Sequence, residues 1–288
     1  MTKIIDGKKI AQEINESIKV RVEDFIGKYK IHPKLAVVII GSDSASLFYV
    51  KMISKSCEKV SIDFEKYSLP EDTTQIELLK LIDNLNKDRE VSGIIVQVPL
   101  PKHIKQEQIQ EAVNPSKDVD CFNPINIGRL ALGKPEFLPC TPYAVFELIK
   151  KENIIVEGKH TVIVGRSNIV GRPMTLILLQ KEQYANATIT VCHSRTNDLA
   201  YYVRQADILI AAVGQPEIIK KDMVKKGAVV IDVGTNEVEG KLVGDVAFNE
   251  MIDKVSVITP VPGGVGPITN VMLMQNTLKA AEKLMVSE

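Results

Sequence analysis

Apolar residues recur along the chain at two spacings, and the alternation between them predicts its elements. Ile10, Ile14, Ile18 and Val22 fall every fourth residue, which predicts an amphipathic helix from Asp6 to about Lys28, broken at His32-Pro33. Leu35 to Ile40 is an unbroken apolar run rich in β-branched residues and bounded by Pro and Gly, the pattern of a strand covered on both faces. A helix around Tyr49 follows, then a second strand from Asp63 to Tyr67. The next helix carries Leu78, Leu81, Ile82 and Leu85 on one side, and Gly93 to Val98 is another buried strand, halted by Pro99-Leu100-Pro101. Strand, helix, strand, helix, strand is the rhythm of a parallel sheet with crossover helices.

Beyond a polar, turn-rich loop from Pro115 to Pro124 and a helix from about Tyr143 to Lys151, the rhythm restarts. Strands are predicted at His160–Val164, Ala187–Cys192, Ile208–Val213 and Ala228–Val233, each ending at or near a Gly or a small polar residue. Backbone and ligand could approach closely along such an edge. Val257 to Pro267 reads as a rigid Pro/Gly loop, and a last helix runs from about Thr269. The fold class is α/β, with a domain boundary close to Pro139-Cys140-Thr141-Pro142.

Composition narrows the function. Lysine and arginine together number 36, as do aspartate and glutamate, so no strong field favours nucleic acid or an acidic membrane. No apolar run reaches the ~18–20 residues needed to cross a bilayer, and the first turns are charged rather than signal-like. A soluble cytoplasmic protein is expected. The four cysteines form no CxxC and the four histidines show no ligand spacing, so neither a structural metal nor a disulfide framework is expected.

Two stretches carry candidate chemistry. Tyr49 follows a strand end, where open α/β folds place ligands, and the two carboxylates of the Pro115–Pro124 loop are hard to justify as packing. Gly165-x-Ser167-x-x-Val170-Gly171 lies between a strand and a helix, where a dinucleotide fingerprint would lie, with Ser in place of the middle Gly. A plain Gly-rich turn is the alternative. An NAD site usually has an acid about 20 residues on, holding the ribose hydroxyls. Here the next strand ends in His193-Ser194-Arg195, and Arg166 sits in the first turn, which favours a 2′-phosphate and hence NADP.

The segments ASLFYV, IVQVPLP, PSKDVDCF, PCTP, VGRSNIVGRPM, DVGTN and TPVPGGVGP, in this order, resemble the methylenetetrahydrofolate dehydrogenase/cyclohydrolase family from end to end. The resemblance implies two α/β domains flanking a cleft, the second a Rossmann-like doubly wound parallel sheet. Residues 1–140 with 269–288 would bind folate, and residues 141–268 would bind NADP. It also implies a homodimer that oxidises 5,10-methylenetetrahydrofolate to the methenyl form and, in most members, hydrolyses that product to 10-formyltetrahydrofolate.

Position by position, the resemblance implies that Tyr49 lies against the folate ring system, Gln97 beside the reacting carbon and Asp120 on the pterin. Pro262 and Gly266 would close over the folate, and Gly165, Arg166, Ser167, Ser194 and Thr235 would contact NADP. The chain departs from the family's pattern in four places. Ile53 stands where a lysine, sharing a helix face with Tyr49, usually assists hydrolysis. Cys121 and Ala144 replace usual glycines, and Asn270 a usual small apolar residue. The expectation is a dehydrogenase with weak or absent cyclohydrolase activity. The alternatives are the full bifunctional enzyme and a binding protein without catalysis.

Overall fold

The uninterrupted apolar runs form strands that are buried on both faces, as their composition requires. The computed structural model describes residues 1–286. In chain order the first elements are β1 (Lys3–Ile4), α1 (Gly7–Tyr29), β2 (Lys34–Ile40), α2 (Ser44–Lys59), β3 (Asp63–Leu69), α3 (Gln75–Lys87) and β4 (Gly93–Val96). Three helices follow: α4 (Gln106–Ala112), α5 (Pro124–Ala131) and α6 (Cys140–Lys151). Then come β5 (His160–Val164), α7 (Gly171–Leu178), β6 (Thr188–Cys192), α8 (Leu199–Val203), β7 (Ile208–Ala211) and β8 (Val229–Asp232). The chain ends with β9 (Asn236–Val238), β10 (Lys241–Val243), α9 (Phe248–Met251), β11 (Val257–Ile258) and α10 (Gly266–Val286).

Two α/β units result, Glu13–Leu138 with Asn270–Glu288, and Met1–Gln12 with Pro139–Thr269. The first dozen residues therefore depart from the expected division, which grouped them with the folate-binding segment. The reason is β1, which pairs in parallel with β11 and joins the second sheet. Neither two-residue strand is long enough to leave a periodic signature, and the stretch containing β11 reads in sequence as loop.

In the first unit β3, β2 and β4 form a parallel sheet in that order. Ala36, Val38, Ile40 and Ile94 pack against Leu78, Ile82 and Leu85 of α3, the i, i+4, i+7 stripe. Thr74 starts α3 with a reciprocal capping box, its hydroxyl accepting from the Glu77 amide while the Glu77 carboxylate accepts from the Thr74 amide. The buried Lys117 closes the other end, its Nζ donating to the carbonyl of Leu85 at 2.9 Å and to that of Asp88 at 2.5 Å. A cation there meets the carbonyls that a helix C-terminus leaves unpaired.

The second unit holds a six-stranded parallel sheet in the order β1-β11-β8-β7-β5-β6. β5 pairs with β6 on one side and β7 on the other, so the strand order reverses between β5 and β7. Val162, Val164, Leu209, Ala211 and Val230 form the core beneath it with Val203, Val246 and Met251.

Candidate active site

In the first unit Gln97 follows the end of β4, Tyr49 lies on the helix that follows β2, and Asp120 lies on the segment beside β4. α2 begins just beyond β2, with Asp43 capping it through the Ser46 amide at 2.8 Å, and Tyr49 lies in its second turn, half-buried. Gln97 follows β4 directly and its amide donates to the Val38 carbonyl of β2 at 2.8 Å, extending the pairing by one rung. Its side-chain amide donates to the Val98 carbonyl at 2.7 Å. The Lys117–Asp120 segment runs beside β4, with Ile94 N donating to Lys117 O at 2.8 Å. A Cβ on Gly93 would come within 2.8 Å of Val119, so this approach requires glycine.

The two loop carboxylates do different work. Asp118 is buried and accepts from the amides of Phe122 and Asn123 and from Asn126 Nδ2 at 2.8–3.0 Å. Burial pushes its pKa up against these hydrogen bonds. It is the framework of the loop, so the expectation that both acids of this loop resist a packing explanation fails for Asp118. Asp120 is only half-buried and lines a small recess with Val96, Val98, Leu100 and Phe122. The backbone on either side of it is held. Asn276 of α10 donates to the carbonyls of Val119 and Leu138 at 2.8 and 2.9 Å, and Cys121 N donates to Asp118 O at 3.1 Å. Asn276 lies far away in sequence, and no motif or spacing marks it for such a role. Cys121 adopts φ 61°, the left-handed region in which its β-carbon is crowded, which explains why a glycine would suit this position.

Ile53 does not lie with Tyr49 on an open face. The buried stripe of α2 is Ser46, Val50, Ile53 and Cys57, and Ile53 is 0 % exposed. Residues four apart are offset by about 40° around a helix, and the edge of the core falls within that offset. Lys51 and Lys55 are exposed.

In the second unit the turn after β5 has the geometry of a phosphate loop. Gly165 has φ 133°, and a Cβ there would meet Ala212 O at 2.1 Å, while one on Gly171 would meet Gly165 O at 2.1 Å. Ser167 Oγ accepts from Val170 N at 3.0 Å and, at 3.5 Å, from Gly171 N, just ahead of α7. Arg166, Ser167, Asn168 and Ile169 are exposed, and among the described residues no carbonyl accepts from their amides. Adjacent to this turn, β6 is followed by exposed Ser194 and Arg195, with the Arg195 amide donating to His193 Nδ1 at 3.1 Å. The nearest following carboxylate, Asp198, caps α8 through the Tyr201 amide. Arginines and hydroxyls around this turn, with the nearest following carboxylate engaged in a helix cap, fit a dinucleotide carrying a 2′-phosphate.

Thr235, Pro262 and Gly266 meet in a recess of about 280 Å³ beyond β8, which Lys8, Thr141 and Asp232 also line. The Pro260–Gly266 segment is locked there by Gly7, whose amide donates to Gly263 O at 2.9 Å and whose Cβ would fall 1.8 Å from Gly264 O. Sequence reading did not single out Lys8 or Asp232. Asp232 had a signal, since an acid ending a strand next to Val233-Gly234 is a turn anchor.

Residues 139–285 match the NAD(P)-binding domain of the tetrahydrofolate dehydrogenase/cyclohydrolase family, and residues 5–120 match its catalytic domain. The chain belongs to the tetrahydrofolate dehydrogenase/cyclohydrolase family. It is 53% identical over 281 residues to the bifunctional protein FolD of Acetivibrio thermocellus, covering 97% of each chain. It also resembles the solved bifunctional FolD methylenetetrahydrofolate dehydrogenase/cyclohydrolase of Campylobacter jejuni, with a TM-score of 0.95, 49% identity and coverage of 98% of this chain and 99% of that one. The Trypanosoma brucei methylenetetrahydrofolate dehydrogenase-cyclohydrolase, solved with NADP and an inhibitor, superposes with a TM-score of 0.92 at 36% identity, covering 98% of both chains. Family membership makes the protein an enzyme with a Rossmann-like NAD(P)-binding domain. No helix among the described residues is long and apolar enough to cross a membrane.

Proposed function

We propose that the chain uses NADP to oxidise 5,10-methylenetetrahydrofolate to 5,10-methenyltetrahydrofolate and hydrolyses that product weakly or not at all. The observation that carries this reading is the composition of α2. Tyr49 lies half-buried on α2, while Ile53, one turn on, is an apolar core residue where hydrolysis would call on an amine.

When bound, NADP supplies the hydride acceptor. The chain's own residues then orient. Hydride leaves a methylene carbon flanked by two nitrogens, and no protein base takes a proton in that step, so positioning carries most of the rate. Asp120, held by the backbone contacts on both sides, accepts hydrogen bonds from the pterin and sets the angle of the reacting carbon. Tyr49 packs against the folate ring, and Gln97 lies beside the carbon. Pro262 and Gly266 form a folate-contacting loop, and Gly165, Arg166, Ser167, Ser194 and Thr235 hold the dinucleotide. Residues 13–138 with α10 make up the folate-binding part. Hydrolysis asks in addition for an activated water and a proton relay to the collapsing tetrahedral carbon. Among the described residues α2 offers that relay no buried amine.

A second reading, full bifunctionality, is favoured by relatives at about half identity that are named bifunctional. One assay separates the two. Purified protein with methylenetetrahydrofolate and NADP should form NADPH while the methenyl absorbance accumulates. Enzyme-dependent decay of added methenyl compound far above the buffer rate would establish the bifunctional reading instead. A homodimer acting in the cytoplasm belongs to the same proposal, and light scattering checks the dimer.

A further inference from the structure

Two carboxylates beneath the end of the second sheet have no part in the reading above. Asp232 and Asp245 are 3 % and 0 % exposed. Asp245 accepts from the amides of Val213, Gly214 and Gln215, just beyond β7, and from Asn236 Nδ2, at 2.5–3.0 Å. Asp232 accepts from the amides of Gly234, Asp245 and Val246 at 2.9–3.1 Å, and its own amide donates to Thr259 Oγ1 at 2.7 Å. Two glycines make room for the pair: a Cβ on Gly234 would strike Asp245, and one on Gly244 would strike Asp232 Oδ2 at 1.9 Å. Among the described residues neither carboxylate forms an ion pair.

A frame this dense explains why the loops after β7 and β8 hold their shape. It does not require charge, because amides and hydroxyls could tie the same loops. What the pair adds is negative potential that no ion pair neutralises, in a water-poor setting where it reaches further than in solvent. Asp232 also lines the recess that contains Thr235. On a doubly wound sheet the two halves of a dinucleotide lie on either side of the strand reversal. The cations after β5 and β6 mark the adenosine half here, so the nicotinamide half belongs over β7 and β8. An oxidised nicotinamide ring is a cation, and a reduced one is neutral.

We propose that Asp232, backed by Asp245, makes this domain select the oxidised over the reduced dinucleotide by attracting the cationic nicotinamide ring. The inference rests on the NADP reading. A unit charge several ångströms away in a partly desolvated site is worth on the order of tenfold in relative affinity. The charged groups facing Asp232 are Asp245, which reinforces the effect, and Lys8, which opposes it.

Calorimetric titration of the full chain with NADP and with NADPH, at about pH 8 where Asp232 is ionised, gives the ratio of the two dissociation constants. Asp232→Asn should weaken NADP on the order of tenfold relative to NADPH, and Asp232→Glu should keep the wild-type ratio even where both affinities fall. A purely structural role would weaken both forms equally, and an unchanged ratio in a folded Asp232→Asn protein overturns the proposal. If that variant does not fold, the wild-type protein decides. Burial pushes Asp232 up to about 6, so the preference for NADP should fade as pH is lowered through that value. The 2′-phosphate also titrates near there, but it is common to both ligands and cancels in the ratio. A ratio flat across that range overturns the proposal. Wild-type protein that binds neither form overturns the NADP reading and this inference with it.

Discussion

Ile53→Lys places an amine at the one position where the chain has an apolar core residue in place of the family's usual lysine. Ile53 is fully buried on the Ser46, Val50, Cys57 stripe of α2, so the cost can be worked out. Losing the isoleucine side chain from the core removes about 1.5–3 kcal/mol. An ammonium held fully inside would add several kcal/mol, either as desolvation or as a depressed pKa. That worst case does not apply, because the half-buried Tyr49 one turn earlier marks the core's edge and a four-carbon stem can carry the charge past it. The net expectation is about 3 kcal/mol, or a fall in melting temperature of roughly 6–12 °C. The functional expectation has the opposite sign. Acid–base assistance typically contributes 10²–10⁴-fold, and an amine in imperfect register should recover at least about tenfold in methenyl hydrolysis. The assay is decay of the methenyl absorbance in the presence of folded variant, with thermal denaturation run in parallel. Ile53→Met, similar in volume and without an amine, is the control. The reasoning fails if folded Ile53→Lys shows no gain in hydrolysis, or if the methionine variant gains as much.

Other consequences follow from the same contacts. Asp118→Ala would strand the amides of Phe122 and Asn123 inside the loop, costing about 3 kcal/mol and raising the KM for folate more than it lowers kcat, which urea unfolding and steady-state kinetics would resolve. Cys121→Gly relieves the left-handed backbone at the loss of a small buried thiol and should stay within about 1 kcal/mol of wild type, whereas the β-branched Cys121→Val should lose more than about 2 kcal/mol. Asp232, with a folded-state pKa near 6 against about 4 when unfolded, keeps its proton longer in the native state. Its contribution therefore favours folding below about pH 4 and is lost as pH rises to about 6, by roughly 2–3 kcal/mol. Asp232→Asn should lack that slope in denaturation series run across this range.

Much of the fold is legible in the chain because it rests on periodicity. The Leu35–Ile40 run and the Leu78, Ile82, Leu85 stripe state their own burial, and both lie where that burial requires. Short or locally irregular elements gave no such signal. β1 and β11 are two residues each, too few to show a period, and yet they decide which unit the N-terminus joins. α5 lies where Asn123-Pro124 reads as a loop, although Asn as cap with Pro in the first turn is equally the start of a helix. The site divides the same way. Residue types marked Gly165, Tyr49 and both acids of the Pro115–Pro124 loop, but what separates Asp118 from Asp120 is packing: Asp118 is buried against the amides of Phe122 and Asn123, and Asp120 is half-buried. Ile53 shows the finest limit: spacing alone put it on one face with Tyr49, and only packing reveals that the core's edge passes between them.

The central claim is that this chain is equipped to remove hydride from methylenetetrahydrofolate and poorly equipped to activate water. A single reaction of pure protein with methylenetetrahydrofolate and NADP, followed at the NADPH and methenyl bands together, tests it most directly. The account predicts that the two signals rise in step and that the methenyl band then decays no faster than in buffer. NADPH formation with no methenyl accumulation would contradict the hydrolytic half of the claim, and no NADPH formation would contradict it altogether.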